Sequence, residues 1–154
     1  MIDVTSKAIF HGLAQVTFLQ QLASRYGMRR PGGFARRFIA GESIIEAIGA
    51  VQQLPSRGLH LALDYLGESV SSGAAAAAAA AEYVRIFDAM VNSGIERNVS
   101  LKLTQLGLDV DRATAIDNMR RLLEPADQFG FFVRIDMEGS AHTEVTLQVL
   151  ETLW

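Results

Sequence analysis

The sequence predicts an α/β fold with a parallel sheet, curved into a barrel of alternating strands and helices. Strand-like segments begin near residues 59, 98 and 131, so successive starts are 39 and 33 residues apart, close to the length of one βα unit. A stretch of helical composition follows each segment. Each segment also has one apolar and one polar face, whereas a strand covered by helices on both sides of an open sheet should be apolar on both.

The composition is that of a soluble globular domain. The chain has 154 residues, of which 49% are hydrophobic and 20% charged, and it contains no cysteine. Fourteen Lys and Arg against 17 Asp and Glu give a net charge of -3 with no basic tract, so no nucleic-acid partner is expected. The absence of cysteine argues against an oxidising compartment and indicates a cytoplasmic protein.

The first 57 residues are predicted to form an N-terminal helical segment. From about Ile2 to Arg25 apolar side chains recur at steps of three and four residues, the period of an amphipathic helix. A loop around Pro31 follows. Ser43 and Glu46 then have the spacing of a capping box, which predicts a second helix that runs to about residue 54.

Residues 58–154 are predicted to contain three βα units. The strand segments are LHLALDY, NVSLKLT and FFVRIDM, and the helices run from about Ala74 to Met90, from about Asp111 to Phe129, and from about Thr143 onward. The alanine run within the first helix predicts a surface helix under weak constraint, because alanine is the best helix former.

Three charged residues fall at the carboxyl ends of the three predicted strands: Asp64, Lys102 and Asp136. In a βα barrel the loops at this end form the mouth that holds the chemistry. A lysine ammonium inside a barrel requires a partner, and Asp136 on the adjacent strand is the expected one, within about 6 Å. The alternative is a buried ion pair that only fixes the strand register.

Other kinds of site have weaker support. The three histidines, His11, His60 and His142, lack metal-ligand spacing, so no metal is predicted. Glycine-rich dinucleotide and phosphate fingerprints are absent from the sequence. Glu68 follows the first strand and either belongs to the site or caps the next helix.

Three segments in order, LDYLGES, VSLKLTQLGL and VRIDMEGS, together with the preceding FIAGESIIEAI, resemble the bacterial proline dehydrogenase family. The likeness covers roughly residues 38 to 152 and includes the intervals between the motifs. It implies a distorted (βα)8 barrel with FAD at the carboxyl ends of the strands. It also implies oxidation of L-proline to 1-pyrroline-5-carboxylate, with electrons passed to quinone at the membrane surface.

The same resemblance implies roles for four residues. Lys102 corresponds to the lysine that binds the substrate carboxylate, and Asp136 to the catalytic aspartate that organises this lysine. Met137 corresponds to a residue that touches the flavin. Glu68 corresponds to an acid that pairs with a substrate-binding arginine to close the site. The location implied is cytoplasmic and peripheral to the inner membrane, and a homo-oligomer is compatible with it.

A full barrel of this kind takes about 250 residues, so we expect this chain to hold only the N-terminal helices and about the first three βα units. Two alternatives from other classes stay open. The chain could be a catalytically incomplete piece that acts structurally or by oligomerising. Lys102 could also be the Schiff-base lysine of an aldolase-like enzyme.

Overall fold

The structure, a computed structural model, describes residues 39–154. The predicted helix from Ile2 to Arg25, the loop around Pro31 and His11 lie outside the described residues. The chain divides into two units between Ala50 and Val51, whereas the predicted division into residues 1–57 and 58–154 stays a prediction. Within the described part, no helix combines the length and the apolar character needed to cross a membrane.

Helix α1 spans Ile44–Val51 and begins at the predicted cap. The Ser43 hydroxyl accepts the N–H of Glu46 at 3.3 Å, and the Glu46 carboxylate accepts the N–H of Glu42 at 3.0 Å. These bonds satisfy two N–H groups that would otherwise lack an acceptor at the start of the helix. The helix ends three residues before the predicted end, and a 3₁₀ turn follows at Pro55–Arg57.

Three parallel strands, β1 (Leu63–Asp64), β2 (Asn98–Leu101) and β3 (Phe132–Ile135), form one sheet in the order β1-β2-β3. They alternate with helices α2 (Gly73–Ser93), α3 (Arg112–Phe129) and α4 (Thr143–Leu153). The three predicted βα units and the parallel sheet are therefore confirmed. Closure into a barrel stays a prediction, and β1 and β3 are the edge strands within the described residues.

The strand register confirms the predicted faces of β2 and β3. Val99 is aligned with Leu63 on one side and Val133 on the other, and Ser100 is aligned with Arg134. The apolar face of β2 is fully buried. The largest fully buried apolar side chains of the core are Tyr83, Phe87, Met90, Val99, Leu101, Leu103, Leu106, Met119, Leu122 and Val149. Because successive side chains of a strand point to opposite faces, the aligned polar side chains of Ser100 and Arg134 lie on the other face of the sheet.

The predicted strand over residues 59–65 is wrong in its first half. Only Leu63–Asp64 pair with β2, and Leu59, expected on the buried face, is 49% exposed. The carboxylate of Glu96 explains the difference: it accepts the N–H of Leu61 at 3.0 Å and lies 3.3 Å from Nδ1 of His60. A side chain thus takes the backbone donor that a strand would give to its neighbour.

The alanine-rich helix α2 is also not the weakly constrained surface helix that was predicted. Ala76, Ala79 and Ala80 are buried, and the same stripe continues through Tyr83 and Phe87. Because the alanine side chains are small, the helix approaches the turn after β2 closely: a Cβ on Gly107 would lie 3.0 Å from Cβ of Ala76.

Helix α2 ends at Ser93, three residues after the predicted end at Met90, whereas the ends predicted for the last two helices agree with the structure. Asp111 caps α3, where its side chain accepts the N–H groups of Ala113 at 2.7 Å and Thr114 at 3.2 Å. The hydrogen bonds from Thr114 and then Ala113 hold the pKa of Asp111 below its usual value. Helix α3 ends at Phe129 and α4 begins at Thr143, as predicted.

Candidate functional site

Lys102 lies between two aspartates at the carboxyl ends of the strands. Its Nζ atom is 3.4 Å from Oδ2 of Asp64 and 3.7 Å from Oδ2 of Asp136. The side chains of Lys102, Asp64 and Asp136 are 23%, 30% and 31% exposed, so the cluster is partly buried and still reachable from solvent. The predicted proximity of Lys102 and Asp136 is confirmed, and Asp64 is an additional and closer partner.

The register of β2 and β3 brings these groups together. The N–H of Asp136 bonds the carbonyl of Leu101 at 2.9 Å, so Asp136 and Lys102 stand side by side just beyond the last ladder pair. Ser100, one pleat earlier on the same face, donates its hydroxyl to Oδ1 of Asp136 at 2.5 Å. This bond leaves Oδ2 for Lys102. Ser100 thereby orients the carboxylate, a role that the sequence did not indicate.

The electrostatics keep Lys102 positively charged. Burial acts to lower the pKa of Lys102, but the charges and hydrogen bonds of Asp64 and then Asp136 outweigh it, so the pKa lies above its ordinary value. A lysine held in this way is a fixed cation. It suits the binding of an anionic group, whereas an amine nucleophile needs a lowered pKa.

Glu68 and Met137 lie in the loops after β1 and β3. Glu68 is exposed and pairs with no cation of residues 39–154. Met137 is 55% exposed. The predicted contacts of these two residues, with an arginine and with a flavin, stay predictions.

The two histidines of the described part each pair separately with an acid. Nδ1 of His60 is 3.3 Å from Glu96, and Nε2 of His142 is 2.8 Å from Asp109. Within residues 39–154 no group of three or more His, Cys, Asp or Glu side chains is placed to hold a metal ion.

A buried polar network supports the loop after β1, and its members were not predicted from the sequence. Tyr83, fully buried on α2, donates to Oε1 of Gln105 at 3.1 Å, and Nε2 of Gln105 donates to the carbonyl of Tyr65 at 3.1 Å. Burial and then the negative charge of Asp64 raise the pKa of Tyr83, so the phenol stays neutral and donates. The only sequence signal is a Thr-Gln pair inside the apolar run LKLTQLGL, and a polar pair in such a run is expected to be hydrogen-bonded.

Comparisons with known proteins agree on one family. The family model described as proline dehydrogenase matches residues 47–154. Proline dehydrogenase 1 of Bacillus subtilis (strain 168) is 37% identical over 141 residues, which are 92% of this chain and 46% of the relative. The proline dehydrogenase of Deinococcus radiodurans is 34% identical over 156 residues, with 99% of this chain and 49% of the relative covered.

A solved structure shows the same fold. The proline utilization A protein (PutA) of Bdellovibrio bacteriovorus, in a crystal structure of the protein inactivated by N-propargylglycine, aligns with a TM-score of 0.67 at 21% identity. The alignment covers 97% of this chain and 16% of that protein. The chain spans about half the length of the curated relatives described above.

Proposed function

The chain belongs to the proline dehydrogenase family, and from this premise we propose that it forms part of the active site of an enzyme that oxidises L-proline to 1-pyrroline-5-carboxylate. The single observation that carries the proposal is the position of Lys102, a cation fixed between two aspartates at the carboxyl end of the middle strand. A substrate with a carboxylate requires such a cation, and the cation requires acids to hold it.

The residues have distinct tasks in this proposal. Lys102 binds the proline carboxylate by charge-assisted hydrogen bonds. Asp136, oriented by the hydroxyl of Ser100, holds the ammonium in place and is the proposed catalytic aspartate. Asp64 holds it from the other side. The two acids also carry one more negative charge than Lys102 neutralises, so a bound carboxylate requires further cations. An arginine pair, with Glu68 closing the site over one member, would supply them.

The proposed cofactor is FAD, and the described residues fit part of it. Met137 is 55% exposed, which leaves apolar surface directly after Asp136 at the carboxyl end of β3. Arg134 and Phe132 lie on the same face of β3 as Asp136, with Phe132 at the amino end of the strand. Met137 is the residue proposed to contact the flavin ring. When bound, FAD supplies the acceptor for the hydride that leaves the carbon beside the proline nitrogen.

The same proposal includes the later fate of the electrons. They pass to a quinone at the membrane surface, which implies a cytoplasmic protein that is peripheral to the inner membrane and compatible with a homo-oligomer. Support for this part comes from the family resemblance alone.

The Schiff-base alternative is disfavoured by the raised pKa of Lys102. An amine that must attack a carbonyl needs a lowered pKa, and Asp64 and Asp136 act in the opposite direction. If the chain were instead a catalytically incomplete piece that acts structurally or by oligomerising, replacing Lys102 would leave proline turnover unchanged.

A chimera tests the proposal. This chain replaces the matched 141 residues of Bacillus subtilis proline dehydrogenase 1, and reduction of a dye by L-proline is measured with FAD present. We expect turnover that falls on the order of tenfold to a hundredfold in Lys102→Met, since charge-assisted hydrogen bonds are lost. Arg85→Met, which removes an exposed cation of α2, is the matched control. A flavin-loaded chimera that oxidises no proline, or that loses nothing in Lys102→Met, would contradict the proposal.

A further inference from the structure

The loops that follow all three strands meet at one buried side chain, Thr104, which is 1% exposed. Its hydroxyl oxygen accepts the N–H of Ser69, from the loop after β1, at 3.0 Å. Its carbonyl accepts the N–H of Val70 at 3.3 Å. Its own N–H and hydroxyl both donate to the carboxylate of Glu138, from the loop after β3, with the N–H to Oε2 at 3.2 Å.

The Glu138 carboxylate determines how the Thr104 hydroxyl is used. A hydroxyl has one proton, and here that proton goes to Oε1 of Glu138. The hydroxyl oxygen is then free to accept the N–H of Ser69. Because a backbone N–H can only donate and a carboxylate can only accept, this is the one orientation of the hydroxyl that satisfies both partners. Both oxygens of Glu138 accept hydrogen bonds from Thr104, so Glu138 is suited to holding the backbone of the loop after β2.

The segment that this arrangement holds is strained. Ser69 has a φ of 52°, a left-handed conformation that a residue other than glycine adopts at a cost. Such a conformation persists only where neighbouring contacts fix it. The bonds from Ser69 and Val70 to Thr104 are those contacts, and Ser69 directly follows Glu68.

We propose that Thr104 and Glu138 are positioning residues that fasten the Glu68 loop to the Met137 loop across the end of β2. The functional part of this inference rests on the proposed proline oxidation, in which Glu68 closes the site over an arginine and Met137 contacts the flavin. Glu138 follows Met137 directly, and Thr104 follows Lys102 by two residues. The pair therefore sets the spacing of the three loops that carry the site.

Amide hydrogen exchange on the 154-residue chain tests the fastening without any need for activity. In Thr104→Val we expect exchange at Ser69 to accelerate about tenfold, because its acceptor is lost, with a smaller change at Val70, whose acceptor is backbone. Thr104→Ser should restore the wild-type rate. Glu138→Ala removes the carboxylate that orients the Thr104 hydroxyl, so it should also accelerate exchange at Ser69, although Glu138 lies in the loop after β3. Glu144→Ala, an exposed glutamate of α4, is the matched control and should change neither amide.

Two exchange results would overturn the inference. One is an unchanged Ser69 rate in Glu138→Ala. The other is an equal acceleration throughout α2 and α3, which would mean that the pair contributes only to global stability.

The chimera described above gives the functional readout. We expect Thr104→Val and Glu138→Ala to raise KM for proline about tenfold with a smaller change in kcat, and Thr104→Ser to restore KM. An unchanged KM together with accelerated exchange would overturn the functional part of the inference. Proline oxidation that is absent even from the wild-type chimera would count against the proposed function, and the exchange data would still decide whether the loops are fastened.

Discussion

The Nζ atom of Lys102 lies 3.4 Å from Oδ2 of Asp64, closer than the 3.7 Å to Oδ2 of Asp136. Burial acts to lower the pKa of Lys102. Asp64 contributes the larger opposing increase and Asp136 a smaller one. We therefore expect Asp64→Asn to lower the pKa of Lys102 more than Asp136→Asn does. The measurement is a pH titration of the lysine side-chain NMR signals. Asp88→Asn, at an exposed position of α2, is the control, and a larger effect of Asp136→Asn would contradict the prediction.

The same cluster predicts a loss of stability at alkaline pH. The folded pKa of Lys102 lies above the ordinary value of 10.5, so its ion pairs stabilise the fold fully below that value. Their contribution is lost as pH rises through the raised folded pKa. We expect the difference in free energy of unfolding between the wild type and Lys102→Met to be constant from about pH 7 to 9 and to shrink above about pH 10.5. Urea denaturation across this range measures it, and a difference that grows with pH would be the opposite result.

Much of the fold could be predicted because each of its signals is local. Helix α3 runs between Asp111 and Gly130 because a side-chain cap and a left-handed glycine mark its ends. The pairing of Lys102 with Asp136 followed from period-2 alternation on neighbouring strands. The early end of β1 could not be predicted in this way, because it depends on Glu96, whose carboxylate arrives from 35 residues away.

The parts of the site that were missed depend on contacts between distant segments. Ser100 orients Asp136 from 36 residues away, and Thr104 bonds Glu138 across 34 residues. Neither pair has a characteristic spacing, and a serine in a strand or a threonine in the turn that follows it is ordinary. The burial of Ala76 has the same cause, since alanine composition indicates a helix without indicating what packs against it.

Gly107 is predicted to tolerate no side chain. Its φ is 102°, and a Cβ there would lie 2.7 Å from Cγ2 of Thr114 and 3.0 Å from Cβ of Ala76. Gly107→Ala should therefore destabilise the fold by about 3 kcal/mol, through strain and overpacking together. Gly94→Ala is the matched control, because Gly94 also has a positive φ, of 69°, but has open space around it. We expect this control to cost only about 1 kcal/mol, so equal losses in urea denaturation would refute the steric argument.

The last prediction concerns the 154-residue chain by itself. Asp64 and Asp136 bring two negative charges to Lys102, so the three-residue cluster repels a carboxylate unless further cations approach. Arg134 has its guanidinium 5.8 Å from the centre of the Phe132 ring, and no contact joins it to the cluster. The chain also spans about half of its proline dehydrogenase relatives. Each missing charge-assisted bond to the substrate costs roughly 1.5–3 kcal/mol.

We therefore expect the 154-residue chain to bind FAD weakly or not at all and to turn over no proline. The chimera, in contrast, should bind FAD and oxidise proline. The measurements are visible absorbance after gel filtration with FAD, and dye reduction on addition of L-proline. Far-ultraviolet circular dichroism of the same sample separates a folded chain that lacks FAD from an unfolded one. A yellow, stable monomer whose flavin is bleached by proline would contradict this prediction, because Lys102 and its two aspartates would then suffice without further cations.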